Sequence, residues 1–315
     1  ITRALLRLLS NREAWQRASK NGIAGVREHY SWQAHAENYV ARVRSLSRQA
    51  ERLPLERPLP RALRYRDRMI VTDLDQSLVG DPRALREFIE LMRANRRSVS
   101  FGIATGRRID TALALMRKHE IPSPDVLISS LGARIHYGQA LLEDEIWADH
   151  VDHEWSPRRI RQVMARVSGV KLQEKREQAA SKISYYYDRD EAPSIEEITA
   201  LLRQHEITAN ILLSFGMFLD ILPSRASKGQ ALRYVAQRLD VALDNILVAG
   251  GSGSDEDMMR GNTLAVVVEN RHHEELSLLP DVDRIYFASK RYAAGILEAV
   301  EYYDFFGACR VPGEI

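Results

Sequence analysis

From about Asp67 onward, short apolar runs alternate with longer stretches whose apolar residues recur at helical spacing, and this alternation narrows the fold more than any other property of the chain. A run such as Met69-Ile70-Val71, apolar at consecutive positions, has to be covered on both faces, and helices on the two sides of a parallel sheet do that. The pattern predicts strands over 68–72, 99–104, 126–128, 245–249, 264–268 and 284–287, and helices over 83–94, 109–119, 229–239 and 291–303. Residues 147–223 read differently. Helical stretches over 157–167 and 195–205 stand among strand-like segments at 182–187, 210–214 and 217–222. The expected fold class is α/β: a Rossmann-like parallel-sheet core over 67–146 and 224–315, with an α+β cap inserted at 147–223.

Ahead of the core, residues 1–48 carry Leu5, Leu6, Leu9, Trp15, Ile23, Val26, Trp32, Tyr39 and Val43 near helical spacing, with Asn21-Gly22 as a predicted break. The stretch 49–66, with Pro54, Pro58 and Pro60, reads as a linker. At 315 residues, with 45% apolar and 28% charged residues, the chain can bury a substantial core in two or three regions. A net charge of +2, with both signs interspersed, gives no reason to expect nucleic acid or a membrane surface as partner. Cys309 is the only cysteine, so no internal disulfide forms, and a cytoplasmic location is expected.

Polar motifs stand where predicted strands hand over to helices. Asp73-Leu74-Asp75-Gln76-Ser77 follows the first strand, at the strand end where open parallel sheets place their sites. Asp73 suits a carboxylate nucleophile, and Asp75 suits a proton donor and acceptor, although an isolated Asp-x-Asp also suits a solvated turn. Thr105-Gly106-Arg107 offers a hydroxyl and backbone amides to a phosphate at a helix start. Lys228 opens another helix, and in a chain where Arg far outnumbers Lys its identity is informative. Gly250-Gly251-Ser252-Gly253-Ser254-Asp255 follows a further strand, with Asp255 as a candidate Mg²⁺ ligand. Each motif alone also fits a helix start, a capping cation or an acidic turn; their shared position at one sheet edge is what joins them.

With these motifs in place, residues 68–306 resemble the haloacid dehalogenase phosphatases that carry an inserted α+β cap. More closely they resemble the sucrose-phosphate phosphatase domain at the C-terminus of sucrose-phosphate synthases. Asp73 to Asp81 resembles that family's first motif, and Phe218-Leu219-Asp220-Ile221-Leu222-Pro223 with Lys228-Gly229 resembles its cap exit and lysine. Asn21-Gly22, His29-Tyr30-Ser31-Trp32 and Tyr39 resemble the last helices of a retaining glycosyltransferase, which implies upstream glycosyltransferase lobes as a partner. The resemblance implies Mg²⁺-dependent hydrolysis of sucrose 6-phosphate to sucrose and phosphate through an aspartyl phosphate. Asp73 is then the nucleophile, Asp75 the acid and base, and Thr105 and Lys228 the phosphate holders. Ser77, Gly106 and Arg107 join them at the phosphate, Lys182, Ser184 and Asp220 contact the sugar, and Asp73, Asp255 and the main-chain carbonyl of Asp75 hold Mg²⁺.

Two departures qualify this. Active relatives read Gly-Asp-Ser-Gly-Asn-Asp at the fourth motif, whereas Gly251 and Ser254 stand at the first Asp and the Asn here. Gly132-Ala133-Arg134-Ile135 likewise stands where relatives carry Gly-Thr-Glu-Ile. A missing carboxylate implies weakened metal binding and impaired activity, and with it an alternative: a regulatory or substrate-binding domain. Glu256 and Asp257 are nearby carboxylates without the matching spacing.

Overall fold

The computed structural model describes residues 9–50, 66–272, 276 and 284–307. Leu5, Leu6, the prolines of the expected linker and Cys309 lie outside the described residues. The chain divides into two compact units, 1–58 and 59–315. Among the described residues no helix is long and apolar enough to cross a membrane.

The first unit is helical. Helix α1 (Arg12–Gly25) starts at Asn11, whose side chain accepts from the Glu13 and Ala14 amides. It runs straight through Asn21-Gly22, the expected break: nothing crowds Gly22, and one glycine costs a helix only about 1 kcal/mol. The irregularity falls later, as a π-helical turn over Val26–Tyr30, before α2 (Trp32–Ala50) begins with the Ala34 amide donating to Ser31 Oγ at 3.1 Å. Trp15, Ile23 and Trp32 are largely exposed.

In the second unit, α3 (Pro82–Ala94), α4 (Ile109–Lys118), α5 (Glu145–Asp152), α8 (Lys228–Leu239), the single-turn α9 (Glu256–Met259) and α10 (Tyr292–Tyr302) surround a central sheet. Its strands are β1 (Arg68–Thr72), β2 (Val99–Ala104), β3 (Val126–Ser129), β4 (Arg134–Tyr137), β5 (Leu142–Glu143), β10 (Ile246–Gly250), β11 (Leu264–Val267) and β12 (Ile285–Phe287). They lie in the order β12-β11-β10-β1-β2-β3-β4-β5, parallel from β12 to β3 and antiparallel from there to β5. The consecutive apolar run of β1 serves both faces as expected. Met69 and Val71 pack with Leu232 and Val235 of α8, while Ile70 packs with Phe88 of α3 and Ile296 of α10.

The cap comprises α6 (Pro157–Met164), α7 (Ile195–Gln204) and an antiparallel sheet in the order β6-β7-β9-β8, from β6 (Val170–Leu172), β7 (Ile183–Tyr187), β8 (Ala209–Ser214) and β9 (Phe218–Pro223). Its own apolar cluster joins Ile160 and Met164 of α6, Ile198 and Leu202 of α7, and Ile183, Leu219 and Ile221 of the sheet.

Expected elements fall within a residue of those observed, except α6, which was expected to reach 167 and ends at Met164. The chain there tightens into short turns ahead of Gly169, whose φ of 68° and carbonyl bond from the Asp188 amide turn it into the sheet. Strands β4, β5 and β6 and helix α5 were not foreseen. The first three lie at or next to a sheet edge: β5 and β6 are mostly exposed, and in the largely buried β4 Arg134 and His136 interrupt the apolar residues. In α5 only Trp147 and Val151 are buried, and Trp147 Nε1 donates to the Gly132 carbonyl at 2.9 Å.

Candidate active site

Strand β1 lies between β10 and β2, so the loops that follow all three open at the same sheet edge. The ladder continues one residue beyond β1, because the Asp73 amide donates to the Ala249 carbonyl at 2.8 Å. That bond holds Asp73 beside the Gly250–Asp255 loop. Lys228 reaches the same point from the start of α8. It is 1% exposed, and its ammonium donates to Asp73 Oδ1 at 2.7 Å and to Asp255 Oδ1 at 2.6 Å.

Two buried carboxylates sharing one ammonium leave a negative charge in excess. Burial, reinforced by Asp255 and Asp75, outweighs the pull of Lys228 and pushes the Asp73 carboxyl up to about 7. Burial works to lower Lys228, but Asp255 and Asp73 prevail and hold the amine above its ordinary value, so it stays protonated.

Asp75 faces a different cation. Arg107 grips it through two parallel bonds, Nε to Oδ2 at 2.8 Å and Nη2 to Oδ1 at 2.7 Å. The loop carrying Arg107 is set by a turn the sequence did not single out. Ser130, Leu131 and Gly132 all have positive φ, and the Ser130 and Leu131 amides donate to the Arg107 and Thr105 carbonyls at 2.8 and 3.1 Å. Thr105 is fully buried, its Oγ1 accepting from the Arg107 amide at 3.2 Å. A Cβ on Gly106 would meet Leu131 at 3.3 Å, so the turn also limits what that loop can carry. Ser77 is buried beyond Asp75.

The same turn touches the lysine helix. A Cβ on Gly132, whose φ is 92°, would stand 2.1 Å from the Ser227 carbonyl and 2.7 Å from the Lys228 amide. Only glycine permits that approach. One turn thus sets the distance between the Thr105–Arg107 loop and the start of α8.

The cap residues form a separate cluster. Strand register puts Ser184 opposite Asp220, and Lys182 lies two residues along on the same face. Lys182 Nζ donates to Ser184 Oγ at 2.8 Å and to Asp220 Oδ1 at 3.3 Å, and all three are buried. Gln178 links this cluster to the core: its side-chain oxygen accepts from the Ser184 amide at 3.1 Å, and its carbonyl accepts from Arg108 Nη1 at 3.2 Å. Beside that link lies a cavity of about 620 Å³, lined from the core by Arg108, Ser129 and Ser130 and from the cap by Gln173, Gln178 and Ala180. It opens next to the Thr105–Arg107 loop and does not include Asp73 or Lys228.

Of the donors expected to hold Mg²⁺, Asp73 bonds Lys228 through Oδ1 only, Asp75 is expected to serve through its main-chain carbonyl, and the Asp255 side chain is turned onto its own loop. Asp255 Oδ2 accepts from the Gly251 and Ser252 amides at 3.0 and 2.9 Å and from Ser252 Oγ at 2.8 Å, while Oδ1 serves Lys228. Both oxygens of Asp75 serve Arg107. Gly251 has no side chain to offer, Glu256 pairs with Arg260, and Asp257 pairs with Arg233. Among the described residues no group of three or more His, Cys, Asp or Glu side chains is placed to hold a metal ion.

Known proteins share both this fold and its sequence. Residues 66–304 match the model of the family described as sucrose-6F-phosphate phosphohydrolase. Mannosylfructose-phosphate phosphatase of Agrobacterium fabrum is 33% identical over 240 residues, covering 75% of this chain and 96% of that protein. Sucrose-phosphatase 1 of Nicotiana tabacum is 31% identical over 250 residues, covering 75% of this chain and 59% of that one. Among solved structures, the sucrose-phosphatase of Synechocystis in complex with sucrose and phosphate superposes with a TM-score of 0.72 at 30% identity, over 76% of this chain and 98% of that chain. A haloacid dehalogenase-like hydrolase of Bacillus subtilis, at 14% identity and a TM-score of 0.54, shares the fold over 77% of this chain and 94% of that one.

Proposed function

Since the chain belongs to the sucrose-6F-phosphate phosphohydrolase family, we propose that it hydrolyses sucrose 6-phosphate to sucrose and phosphate, with Asp73 as nucleophile. The observation that carries this reading is the buried Lys228 ammonium bonded at once to Asp73 and Asp255 at the end of β1. A positive charge fixed where an anionic group must approach a carboxylate is what phosphoryl transfer requires.

An Asp73 oxygen attacks phosphorus; the new O–P bond forms as the bond to the sugar oxygen breaks. Lys228, Thr105 and Arg107 face the phosphate oxygens. Arg107 can do so only by releasing Asp75, which frees that carboxyl to give a proton to the departing sugar oxygen. Water then attacks phosphorus and passes a proton back to Asp75, which frees phosphate and restores Asp73. The cavity beside Gln178 and Arg108 supports a substrate larger than a single phosphate, and Gln178, which lines it, bonds the Ser184 amide of the Lys182, Ser184 and Asp220 cluster. Asp73, Asp255 and the main-chain carbonyl of Asp75 would hold a Mg²⁺ ion, which would neutralise charge on the phosphate oxygens; the steps above are those of the chain's own side chains.

A second reading is that the domain binds sucrose 6-phosphate and regulates a synthase without hydrolysing it; Gly251 and the inward-turned Asp255 favour it. The exposed Trp15, Ile23, Val26 and Trp32 of the first unit support a fusion to glycosyltransferase lobes of a sucrose-phosphate synthase, and a single cysteine in the chain supports a cytoplasmic setting. Phosphate release from sucrose 6-phosphate, measured with Mg²⁺ and with a chelator for the parent and Asp73→Asn, separates the readings. Release that disappears in the variant supports hydrolysis by Asp73. No release under either condition, with calorimetric binding of sucrose 6-phosphate retained, supports the second reading.

A further inference from the structure

Asp257 belongs to no metal set, yet it is held in a defined place against the start of α8. Ser227, the N-cap of that helix, accepts from the Gln230 amide at 3.0 Å and donates its own hydroxyl to Asp257 Oδ2. Arg233, further along α8, donates to Asp257 Oδ1 at 3.3 Å and to the Asp257 carbonyl at 2.9 Å. Gly229 completes the fit, since a Cβ there would stand 2.3 Å from the Asp257 carbonyl oxygen. From the cap, Asn210 Nδ2 donates to the Ala226 carbonyl at 2.8 Å, one residue before Ser227.

Lys228 therefore sits between two acids of one short segment. Asp255 takes its ammonium, and Asp257 takes the hydroxyl of the residue before it. We infer that Asp257, through Ser227, is a positioning residue for Lys228, fixing where the ammonium stands between Asp73 and Asp255. This rests on the phosphatase reading of the site. Asp257 itself does not reach the reacting atoms: its side chain is 43% exposed and borders a cavity of about 440 Å³ at the junction of cap and core. A carboxylate so exposed can be replaced without emptying the core.

The test is steady-state release of phosphate from sucrose 6-phosphate by the full chain and its Asp257→Ala, Asp257→Asn and Ser227→Ala variants, with a melting curve for each. A displaced ammonium costs the chemical step more than binding, so Asp257→Ala is expected to lower kcat about tenfold with KM within about twofold. Asp257→Asn keeps an acceptor for the Ser227 hydroxyl and should stay within about threefold of the parent. Combining Ser227→Ala with Asp257→Ala should give a protein no slower than the slower single variant, because both changes cut the same link. Unchanged kcat in Asp257→Ala, a fall explained by a matching loss of melting temperature, or multiplying effects in the double variant would each overturn the inference. If the parent releases no phosphate, the hydrolytic reading fails by itself. Calorimetric binding of inorganic phosphate then reads the positioning effect, expected to weaken about fivefold in Asp257→Ala, and equal affinity would overturn it.

Discussion

At Gly251 the chain lacks an oxygen, and the room to restore one is measurable: a Cβ there meets Val268 Cγ2 at 3.0 Å and the Arg271 Cα at 3.5 Å. A shift of a few tenths of an ångström in Val268 admits it. Gly251→Asp is expected to tighten Mg²⁺ binding at least tenfold by calorimetry and to raise phosphate release with it, since one further carboxylate is what such a site usually adds. Identical metal affinity in the two proteins would remove the missing ligand as the defect. Another single residue governs a pH response. Burial lowers His136 below its ordinary value against weaker upward pulls from Glu143 and the Leu127 backbone. The unfolded chain takes that proton near pH 6.5, so below this value unfolding binds more protons and the stability contributed by neutral His136 is lost as pH falls. Asp73, raised to about 7, acts in the opposite sense: its contribution falls as pH rises between about 4 and 7. The comparison of parent with His136→Leu isolates the histidine. Urea unfolding at pH 7.5, 6.5 and 5.5 should give a stability difference that shifts towards the variant as pH drops, and a constant difference would count against the assignment.

Among elements, the Ser130–Gly132 turn has influence out of proportion to its length. It ties the Thr105 loop through two backbone bonds and packs Gly132 against the first residues of α8. Gly132→Ala adds a Cβ at positive φ into the Ser227 carbonyl. A cost of about 3 kcal/mol in unfolding free energy is expected, with loss of phosphate release beyond what melting accounts for. A variant as stable and active as the parent would show that this approach does not set the lysine helix. Short elements of this kind were hard to foresee from sequence because their backbone is dictated by what packs on them. The strands β1, β2 and β10 were legible for the opposite reason, being buried along nearly their whole length and needing no particular neighbour to declare themselves.

Across the second unit, Arg134 joins an edge strand, a helix and, through Asp152, the cap. It pairs with Glu143 of β5 at 3.1 Å and with Asp152 at the end of α5 at 2.5 Å, and Asp152 also accepts from Ser181 of the cap. Arg134→Glu would set a third carboxylate between two others and should cost about 1–2 kcal/mol at low salt, partly recovered at high salt. Arg134→Met separates loss of the pair from repulsion. Melting curves at two ionic strengths check this, and a salt-independent loss equal in both variants would assign Arg134 a packing role alone.

What the sequence determined by itself was the succession of buried strands and covering helices, and the polar loops that follow them, because the period of apolar residues is a local property. Tertiary structure decided which groups each polar side chain meets. Lys228 bonds a carboxylate 155 residues away, Arg107 takes Asp75, Asp257 takes Ser227, and Asp255 turns its second oxygen onto its own loop. Those choices depend on register, on crossover, and on the approach of Gly132 and Gly229 to neighbouring backbone, which no local pattern encodes. A buried charge settles on whichever partners the packed fold brings within about 3 Å, and only the packed fold says which they are.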